Sequence, residues 1–243
     1  MKRPRPIRSR RRSRGFSLIE LAVVVMIIGI LAAMAMPEMG DAQLERHAYD
    51  DAGQILGLVR TARTRAMGRG AATMVTFDTT TAGSLRGNYQ MYEGVDPNPG
   101  GGLNNTARVP RSSCTFPATG WQTSDPHNTF VDGVNLNGNY ENQANITSRI
   151  VMFDNTGTPT LATTGIALCF TPLGRAYLYQ GSLASPQFSA ANPFLGTIAI
   201  DVARLFQGQT GISATSTVGI TRRIIVPSSG NARMVSTLTP PAP

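Results

Sequence analysis

Hydrophobic residues divide the N-terminal third of the chain into two helical segments. From Phe16 to Met36 the chain is apolar apart from Ser17, Glu20 and Gly29. At 1.5 Å per residue a helix of this length rises about 31 Å, which matches the hydrocarbon core of a bilayer. Residues 16–36 are therefore predicted to form a transmembrane helix.

Beyond Pro37 the apolar run gives way to a helical period. Apolar residues recur every three or four positions, which places them on one face of a helix. They are Leu44, Ala48, Ala52, Ile55, Val59, Ala62 and Ala66. Gly68 and Gly70 mark the end of this amphipathic helix, which covers residues 37–70. Because proline removes one backbone donor, Pro37 is predicted to bend one long helix rather than end it, and Gly29 is a second bending point.

The rest of the chain, residues 71–243, has the pattern of short strands separated by turns. Eight stretches are rich in β-branched or aromatic residues. They are 71–77, 89–93, 149–153, 166–171, 175–179, 196–202, 221–226 and 233–238. The turn sequences between them suit hairpins in an antiparallel sheet. The predicted fold class is α+β, with a long N-terminal α-helix whose second half packs on an antiparallel β-sheet head.

One long stretch of the head lacks a strand pattern. Residues 94–148 begin with Pro-Asn-Pro-Gly-Gly-Gly at 97–102 and continue with many asparagines. This composition predicts a long irregular insertion, a class of loop that often carries function.

Charge is concentrated at the N-terminus. The formal net charge is +8, but eight Lys and Arg residues precede residue 15, and the remaining 14 Arg balance 14 Asp and Glu. The basic leader, residues 1–15, accounts for the excess, so nucleic acid is not the expected partner. Positive charges favour the cytoplasmic side of a membrane helix, which predicts a single-pass inner-membrane protein with a periplasmic C-terminal head.

Cysteine and histidine show no metal-binding pattern. Cys114, Cys169, His47 and His127 lie far apart, and no metal or other cofactor is predicted. In an exported head, Cys114 and Cys169 are candidates for one disulfide, with two unpaired buried thiols as the alternative. The sequence also lacks a nucleophile elbow and a phosphate-binding loop, so the protein is not predicted to be an enzyme.

The first 36 residues also fit an ordinary secretory signal. In that interpretation Ala33, Met34 and Ala35 form the cleavage site. Ordinary signals, however, place no acidic residue at the start of the apolar run, where Glu20 stands. An amphipathic helix also continues directly after the supposed cut, which favours retention of the segment.

The junction at residues 14–20, Arg-Gly-Phe-Ser-Leu-Ile-Glu, resembles the class III signal of type IV prepilins. The leader ends in Gly15, Phe16 follows, and Glu20 is the fifth residue after the glycine. The resemblance implies that prepilin peptidase cuts between Gly15 and Phe16 and methylates Phe16. It also implies that Glu20 pairs with the terminal amine of a neighbouring subunit and sets the register of assembly. A partnerless carboxylate near the helix end is the alternative.

Parts of the head resemble the GspH/FimT group of minor pilins and pseudopilins. The similar stretches are 148–157, 166–170 and 221–230, together with the helix end at 56–66. The resemblance implies a minor pilin of a type IV pilus that helps to initiate or cap assembly. An H-type minor pseudopilin of type II secretion is the alternative. The implied partners are prepilin peptidase, other pilins or pseudopilins and inner-membrane lipid.

DNA binding is a further alternative from a different functional class. Some FimT-like pilins bind DNA through C-terminal arginines, which makes Arg222, Arg223 and Arg233 candidate phosphate contacts. Tyr177 and Tyr179 are candidate stacking surfaces. The chain departs from the group's Gly-Arg-x-Arg pattern, because it has Gly-Asn-Ala-Arg at 230–233. DNA binding therefore ranks below assembly, and a solvated strand face is the competing interpretation of these arginines.

Overall fold

The computed structural model describes most of the helix and the head. The described residues are 16–79, 86–96, 109–115, 121, 128–136, 145–154, 156–189, 193–206, 209, 212–213 and 215–238, without the side chains of 35–39, 41, 96, 109 and 128. The predicted leader and its Gly15 lie outside them. The chain forms two compact units, Met1–Gln43 and Leu44–Pro243.

A single helix, α1, runs from Leu18 to Arg69. It continues through Pro37, as predicted, and the bends expected at Pro37 and Gly29 stay predictions. Gly70 follows the helix with φ 68°, the left-handed conformation that commonly ends helices and that glycine adopts without steric cost. Within the described part of the chain, no helix is long and apolar enough to cross a membrane.

The structure describes eleven strands after the helix. They are β1 Thr73–Asp78, β2 Asn88–Asp96, β3 Val109–Pro110, β4 Asn128–Asn135, β5 Ile146–Phe153, β6 Pro159–Leu161, β7 Gly165–Phe170, β8 Ala176–Gly181, β9 Thr197–Leu205, β10 Thr217–Pro227 and β11 Arg233–Thr237. All eight predicted strands are present with shifted ends. The α+β class, with a helix packed on antiparallel strands, is confirmed.

The strands form two antiparallel sheets rather than one. Sheet 1 has the order β3-β2-β1-β7-β8, and β4 also pairs with β2; sheet 2 has the order β11-β10-β9-β5-β6. Sheet 2 joins strands that are far apart in sequence, because β9 pairs with its neighbour β10 on one side and with the distant β5 on the other. Local strand patterns do not report such pairings, so the division into two sheets was not predicted.

The stretch 94–148 is not wholly irregular, which corrects the prediction for it. It contains β3 and β4, and β4 pairs along β2 from Asn88↔Asn135 to Gly94↔Asn128. The β4 sequence, Asn-Thr-Phe-Val-Asp-Gly-Val-Asn, is rich in turn-forming residues. It forms a strand because it pairs with the edge of β2. A tertiary contact, and not the local sequence, therefore determines its structure.

The main core lies between α1 and the two sheets. The predicted apolar face of the helix is buried there, and Ala48, Ala52, Ile55, Val59, Ala62 and Ala66 are inaccessible to solvent. The same cluster contains Val75 and Phe77 from sheet 1 and Ile200 and Ile224 from sheet 2. The helical period in the sequence therefore identified the surface that both sheets cover.

A second, smaller core lies on the other face of sheet 1. It contains Met74 from β1, together with Trp121 and the two cysteines. Cys114 and Cys169 form a disulfide with a Cα–Cα distance of 5.9 Å, which confirms the predicted bridge. Trp121 Nε1 donates a hydrogen bond of 2.9 Å to the Cys114 carbonyl oxygen. The bridge therefore ties the 94–148 stretch to β7.

Removal of this disulfide should destabilise the head. The two cysteines are 55 residues apart, and the loop-entropy model assigns a bridge of that span about 4 kcal/mol. The double variant Cys114→Ala and Cys169→Ala should lose about 3–4 kcal/mol in urea unfolding. Wild-type protein unfolded in the presence of reductant is the matched comparison and should behave like the variant. A loss below about 1 kcal/mol would contradict the expectation.

Candidate functional site

The start of α1 holds Glu20 in a local capping arrangement. Ser17 occupies the N-cap position, and its carbonyl oxygen accepts hydrogen bonds from the amides of Glu20 at 3.0 Å and Leu21 at 3.2 Å. Glu20 Oε2 in turn accepts a hydrogen bond of 3.5 Å from the Ser17 amide. This contact is the Glu half of a capping box, Ser-x-x-Glu, in which the N3 side chain accepts from the N-cap amide. Sequence reasoning missed it, although the pattern Ser17-Leu-Ile-Glu20 was readable.

The helix that follows this cap is apolar on all sides. Phe16 is 82% exposed and Leu18 86% exposed. Eleven further large apolar side chains up to residue 34 are exposed within this unit; they are Ile19, Leu21, Val23, Val24, Val25, Met26, Ile27, Ile28, Ile30, Leu31 and Met34. A helix that is hydrophobic all round is stable when lipid or other protein covers it. The segment is therefore built for an apolar environment.

The arginines proposed for DNA contact do not form one cluster. Arg222 and Arg223 are neighbours on β10, so their side chains leave opposite faces of sheet 2. Both are buried in ion pairs, Arg222 with Glu45 and Arg223 with Asp201. Arg233 is exposed on β11. A phosphate contact by either β10 arginine would require breaking its ion pair.

The tyrosines proposed as stacking surfaces lie at the second core. Tyr177 and Tyr179 are partly buried against it. Tyr179 meets Phe188 edge-on, with ring centroids 6.2 Å apart. Their faces thus serve packing within the head.

Asp201 is held between two arginines across three strands of sheet 2. Arg149, Asp201 and Arg223 are directly opposite one another on β5, β9 and β10. Arg223 donates to both carboxylate oxygens, at 2.6 and 2.9 Å, and Arg149 Nε donates to Oδ2 at 2.9 Å. The Arg223 guanidinium also lies over the Phe153 ring, 5.7 Å from its centroid. This ladder satisfies a carboxylate that is fully removed from solvent.

Glu45 makes an ion-pair contact between α1 and sheet 2. Arg222 Nη1 lies 2.7 Å from Glu45 Oε1, and Arg204 Nη1 lies 3.7 Å from Oε2. The Arg222 guanidinium also lies over the ring of Tyr49, 5.4 Å from its centroid. One helical carboxylate therefore meets arginines from both β9 and β10.

Gly219 makes room for Glu45 beside β10. The pairing of β10 with β9 shifts register between Val218 and Arg222, and Gly219 lies in this bulge with φ 76°. A Cβ atom on Gly219 would lie 2.5 Å from Glu45 Oε2. The backbone conformation favours glycine at this position, and a side chain there would also have to displace the Glu45 carboxylate.

Glu93 fixes the end of α1 to sheet 1. Arg65 Nε donates to Glu93 Oε2 at 2.6 Å, and Arg69 Nε lies 2.9 Å from Oε1. Glu93 is buried on β2, whereas more than half of the Arg69 side chain is exposed. Each of Glu45, Glu93 and Asp201 is thus placed between two arginines, a pairing that sequence reasoning did not find.

Asp51 is a buried carboxyl group on the amphipathic half of α1. Its side chain is 2% exposed, and among the described residues its Oδ1 has no hydrogen-bond partner. Burial raises the pKa of Asp51 to about 6; the charge of His47 lowers this pKa in part, and that of Asp50 raises it. Asp51 therefore carries a proton more readily than an exposed aspartate does.

Metal chemistry finds no support in the described residues. No group of three or more His, Cys, Asp or Glu side chains comes together there in a metal-binding arrangement. Two features of the described residues bear on function. The first is the apolar N-terminal part of α1 with its capped start, and the second is the head that the disulfide holds together.

Comparison with known proteins identifies the sequence motif at the N-terminus. Residues 10–36 match the family model described as the prokaryotic N-terminal methylation motif. A stretch of 110 residues is 34% identical to the fimbrial protein EcpB of Eikenella corrodens. The chain is a type IV pilin-like protein.

The fimbrial similarity covers 43% of this chain and 65% of the relative's length. No solved structure matches the chain significantly. The residues matched to the methylation motif include Gly15, Phe16 and Glu20. In this pilin-like protein the motif therefore overlaps the capped start of α1.

Neutralising Asp201 should destabilise the head strongly. Asp201→Asn keeps the size of the side chain but leaves Arg149 and Arg223 without their buried counter-charge. We expect a loss of about 3–5 kcal/mol in urea unfolding. Asp132→Asn, at an exposed position of β4, is the control and should change stability little. Equal effects of the two substitutions would show that the ladder contributes nothing.

Asp51 should make stability depend on pH. Its pKa of about 6 in the folded state exceeds the ordinary 3.8, so the stability of the wild type falls as pH rises from 3.8 to 6. Asp51→Asn should therefore be more stable than wild type at pH 7, by about 2 kcal/mol, and the difference should vanish below pH 3.8. Asp132→Asn, at an exposed position of β4 and not among the groups that shift the pKa of Asp51, is the control. A difference that is constant with pH would refute the burial effect.

Proposed function

We propose that this protein is a minor pilin of a type IV pilus, a structural subunit that helps to initiate or cap assembly. The observation that carries the proposal is the methylation motif at 10–36, which overlaps an apolar helix with exposed side chains on all sides. Such a helix can pass from lipid to a bundle of pilin helices without changing its surface. The protein acts through assembly and not through catalysis.

Prepilin peptidase is the proposed processing enzyme. It cuts between Gly15 and Phe16 and methylates the new terminus at Phe16. Glycine suits this position because extended backbone enters a peptidase cleft without steric cost. The cut removes all eight leader charges and leaves a formally neutral subunit. Before assembly, the apolar helix anchors the chain in the inner membrane with the head in the periplasm.

Glu20 is the proposed register residue of assembly. A carboxylate surrounded by apolar helices needs a cation, because an unpaired buried charge costs several kcal/mol. The terminal amine of a neighbouring subunit supplies that cation. Glu20 also caps its own helix through the Ser17 amide, so one side chain has a local role and an intersubunit role.

The choice of a minor pilin rests on the head. Its similarity to the GspH/FimT group lies in the stretches 148–157, 166–170 and 221–230, which form parts of β5, β7 and β10. An H-type pseudopilin shares the same N-terminus, and neighbouring genes for minor pilins or for secretion would separate the two. DNA uptake is not proposed, because Arg222 and Arg223 are already held in buried ion pairs.

A pair of substitutions at Glu20 tests the proposal. Glu20→Gln keeps an acceptor for the Ser17 amide but removes the charge, whereas Glu20→Ala removes both. Both variants should still be cut after Gly15, and mass spectrometry should find a methylated Phe16 terminus. Both should be depleted from sheared pili, because only the charge binds the neighbouring amine.

Two results would contradict this proposal. Pilus incorporation of Glu20→Gln at the wild-type level would show that capping alone matters. A mature N-terminus at Met36 would show that the preceding residues are an ordinary cleaved secretory signal and not a retained anchor. Arg46→Gln, a charge change on the exposed face of α1, is the control and should assemble normally.

A further inference from the structure

A polar cavity opens on the outer face of sheet 1, opposite the main core. It has a volume of about 710 Å³, within the range of sites that bind small ligands. Its polar lining comes from β1, β2 and the loops before β7 and after β8, and includes Thr76, Asp78, Asn88, Gln90, Thr164 and Ser182. Val75 and Phe77 point the other way into the main core, so alternation along β1 fixes the polar face.

The strands hold this lining in fixed positions. Thr76 is directly opposite Gln90, and Asp78 is opposite Asn88, in the β1–β2 pair. Thr76 Oγ1 donates to the Gln90 carbonyl oxygen at 3.4 Å. The Tyr92 hydroxyl donates to Gln90 Oε1 at 2.7 Å, which orients the side-chain amide. Polar groups placed on rigid strands bind with little loss of conformational freedom.

Two glycines leave the floor of the cavity without side chains. Gly165 and Gly181 are directly opposite each other on β7 and β8, and both line the cavity. A Cβ atom on Gly181 would lie 2.6 Å from the Tyr179 hydroxyl oxygen. A larger residue at either position would have to displace Tyr179 or Leu183, whose side chains already occupy the space over the glycines.

One wall of the cavity is apolar. Leu183 and Ala184 line it, and Leu183 also packs against the second core. The cavity thus offers hydroxyl and amide groups on one side and aliphatic carbon on the other. A sugar ring presents the same two surfaces, hydroxyl groups at its edge and C–H groups on its faces.

We propose that this cavity binds a neutral carbohydrate, such as a short oligosaccharide. Hydroxyl and amide side chains both donate and accept hydrogen bonds, which matches a ligand that carries several hydroxyl groups. Among the described residues that line the cavity, no side chain is basic, so this lining suits a neutral ligand better than phosphate, sulfate or nucleic acid, which bind through cations.

The site lies in the head and uses none of the residues that the assembly proposal needs. Cleavage at Gly15 and pairing through Glu20 can succeed or fail independently of it. A pilin-like subunit with this cavity would carry a sugar-binding surface into the filament.

Saturation-transfer NMR tests the proposal on the full mature chain. The chain is purified in lauryldimethylamine oxide, because sugar-headed detergents would compete for the cavity. The probes are maltose, lactose, mannobiose and diacetylchitobiose, with a sulfated heparin disaccharide as the anionic probe. At least one neutral disaccharide should receive saturation and show a millimolar or tighter Kd.

Variants locate the binding. Thr164→Val removes a hydroxyl group from the cavity, and Asn88→Leu removes an amide; each should weaken binding about ten-fold. Thr160→Val makes the same exposed Thr-to-Val change on β6, outside the cavity, and should leave the Kd unchanged. Thermal unfolding of each variant checks that Asn88→Leu still folds, and Thr164→Val serves alone if it does not.

Three outcomes would overturn the proposal. The first is that no neutral disaccharide receives saturation. The second is that only the sulfated disaccharide binds, which would indicate an anion site elsewhere on the head. The third is that neutral disaccharides bind equally well to Thr164→Val and Thr160→Val, which would place binding outside the cavity.

Discussion

The buried face of α1 between Ala48 and Ala66 is the contact on which the head depends. Four of its six inaccessible residues are alanines, and a small side chain lets the helix backbone approach both sheets closely. Ile55 and Val59 fill the space between the two sheets. Because sheets 1 and 2 share this one helix, loss of its packing would separate the head into two sheets without a common core.

Ion pairs flank that apolar face on both sides. Glu45 binds arginines of sheet 2, and Arg65 and Arg69 bind Glu93 of sheet 1. The two contacts fix the rotation of the helix about its axis, which apolar packing alone determines less sharply. Arginine suits this role because its planar fork can serve a carboxylate and still rest on an aromatic ring, as Arg222 does on Tyr49.

The features predicted correctly from sequence are those that depend on residues close together in the chain. The helical period marked the buried face, Gly70 marked the end of α1, and β-branched runs marked eight strands. Strand β4 was missed because its turn-rich sequence becomes a strand only when β2 offers an edge. The arginine pairs were missed because β5, β9 and β10 meet only after the chain has folded.

The candidate site shows the same contrast between residues that local sequence identifies and residues whose role depends on the folded structure. Glu20 and Phe16 were recognisable because cleavage signals are read as linear sequence, and the matched motif contains both residues. The roles of Arg222 and Arg223 depended on burial, which their sequence does not reveal. Their exposure was assumed when they were considered for DNA contact, and the structure places them in ion pairs instead.

Strand β10 contains two consecutive pairs of like residues, Arg222-Arg223 and Ile224-Ile225. A slip by one position would keep an arginine and an isoleucine on only one face of sheet 2, while the other face would lose its arginine or its isoleucine. The bulge at Gly219 adds a second constraint on the register, because its φ of 76° favours glycine at that one point of the strand. A residue that contributes no side chain therefore helps the buried arginines to define the alignment of the strand.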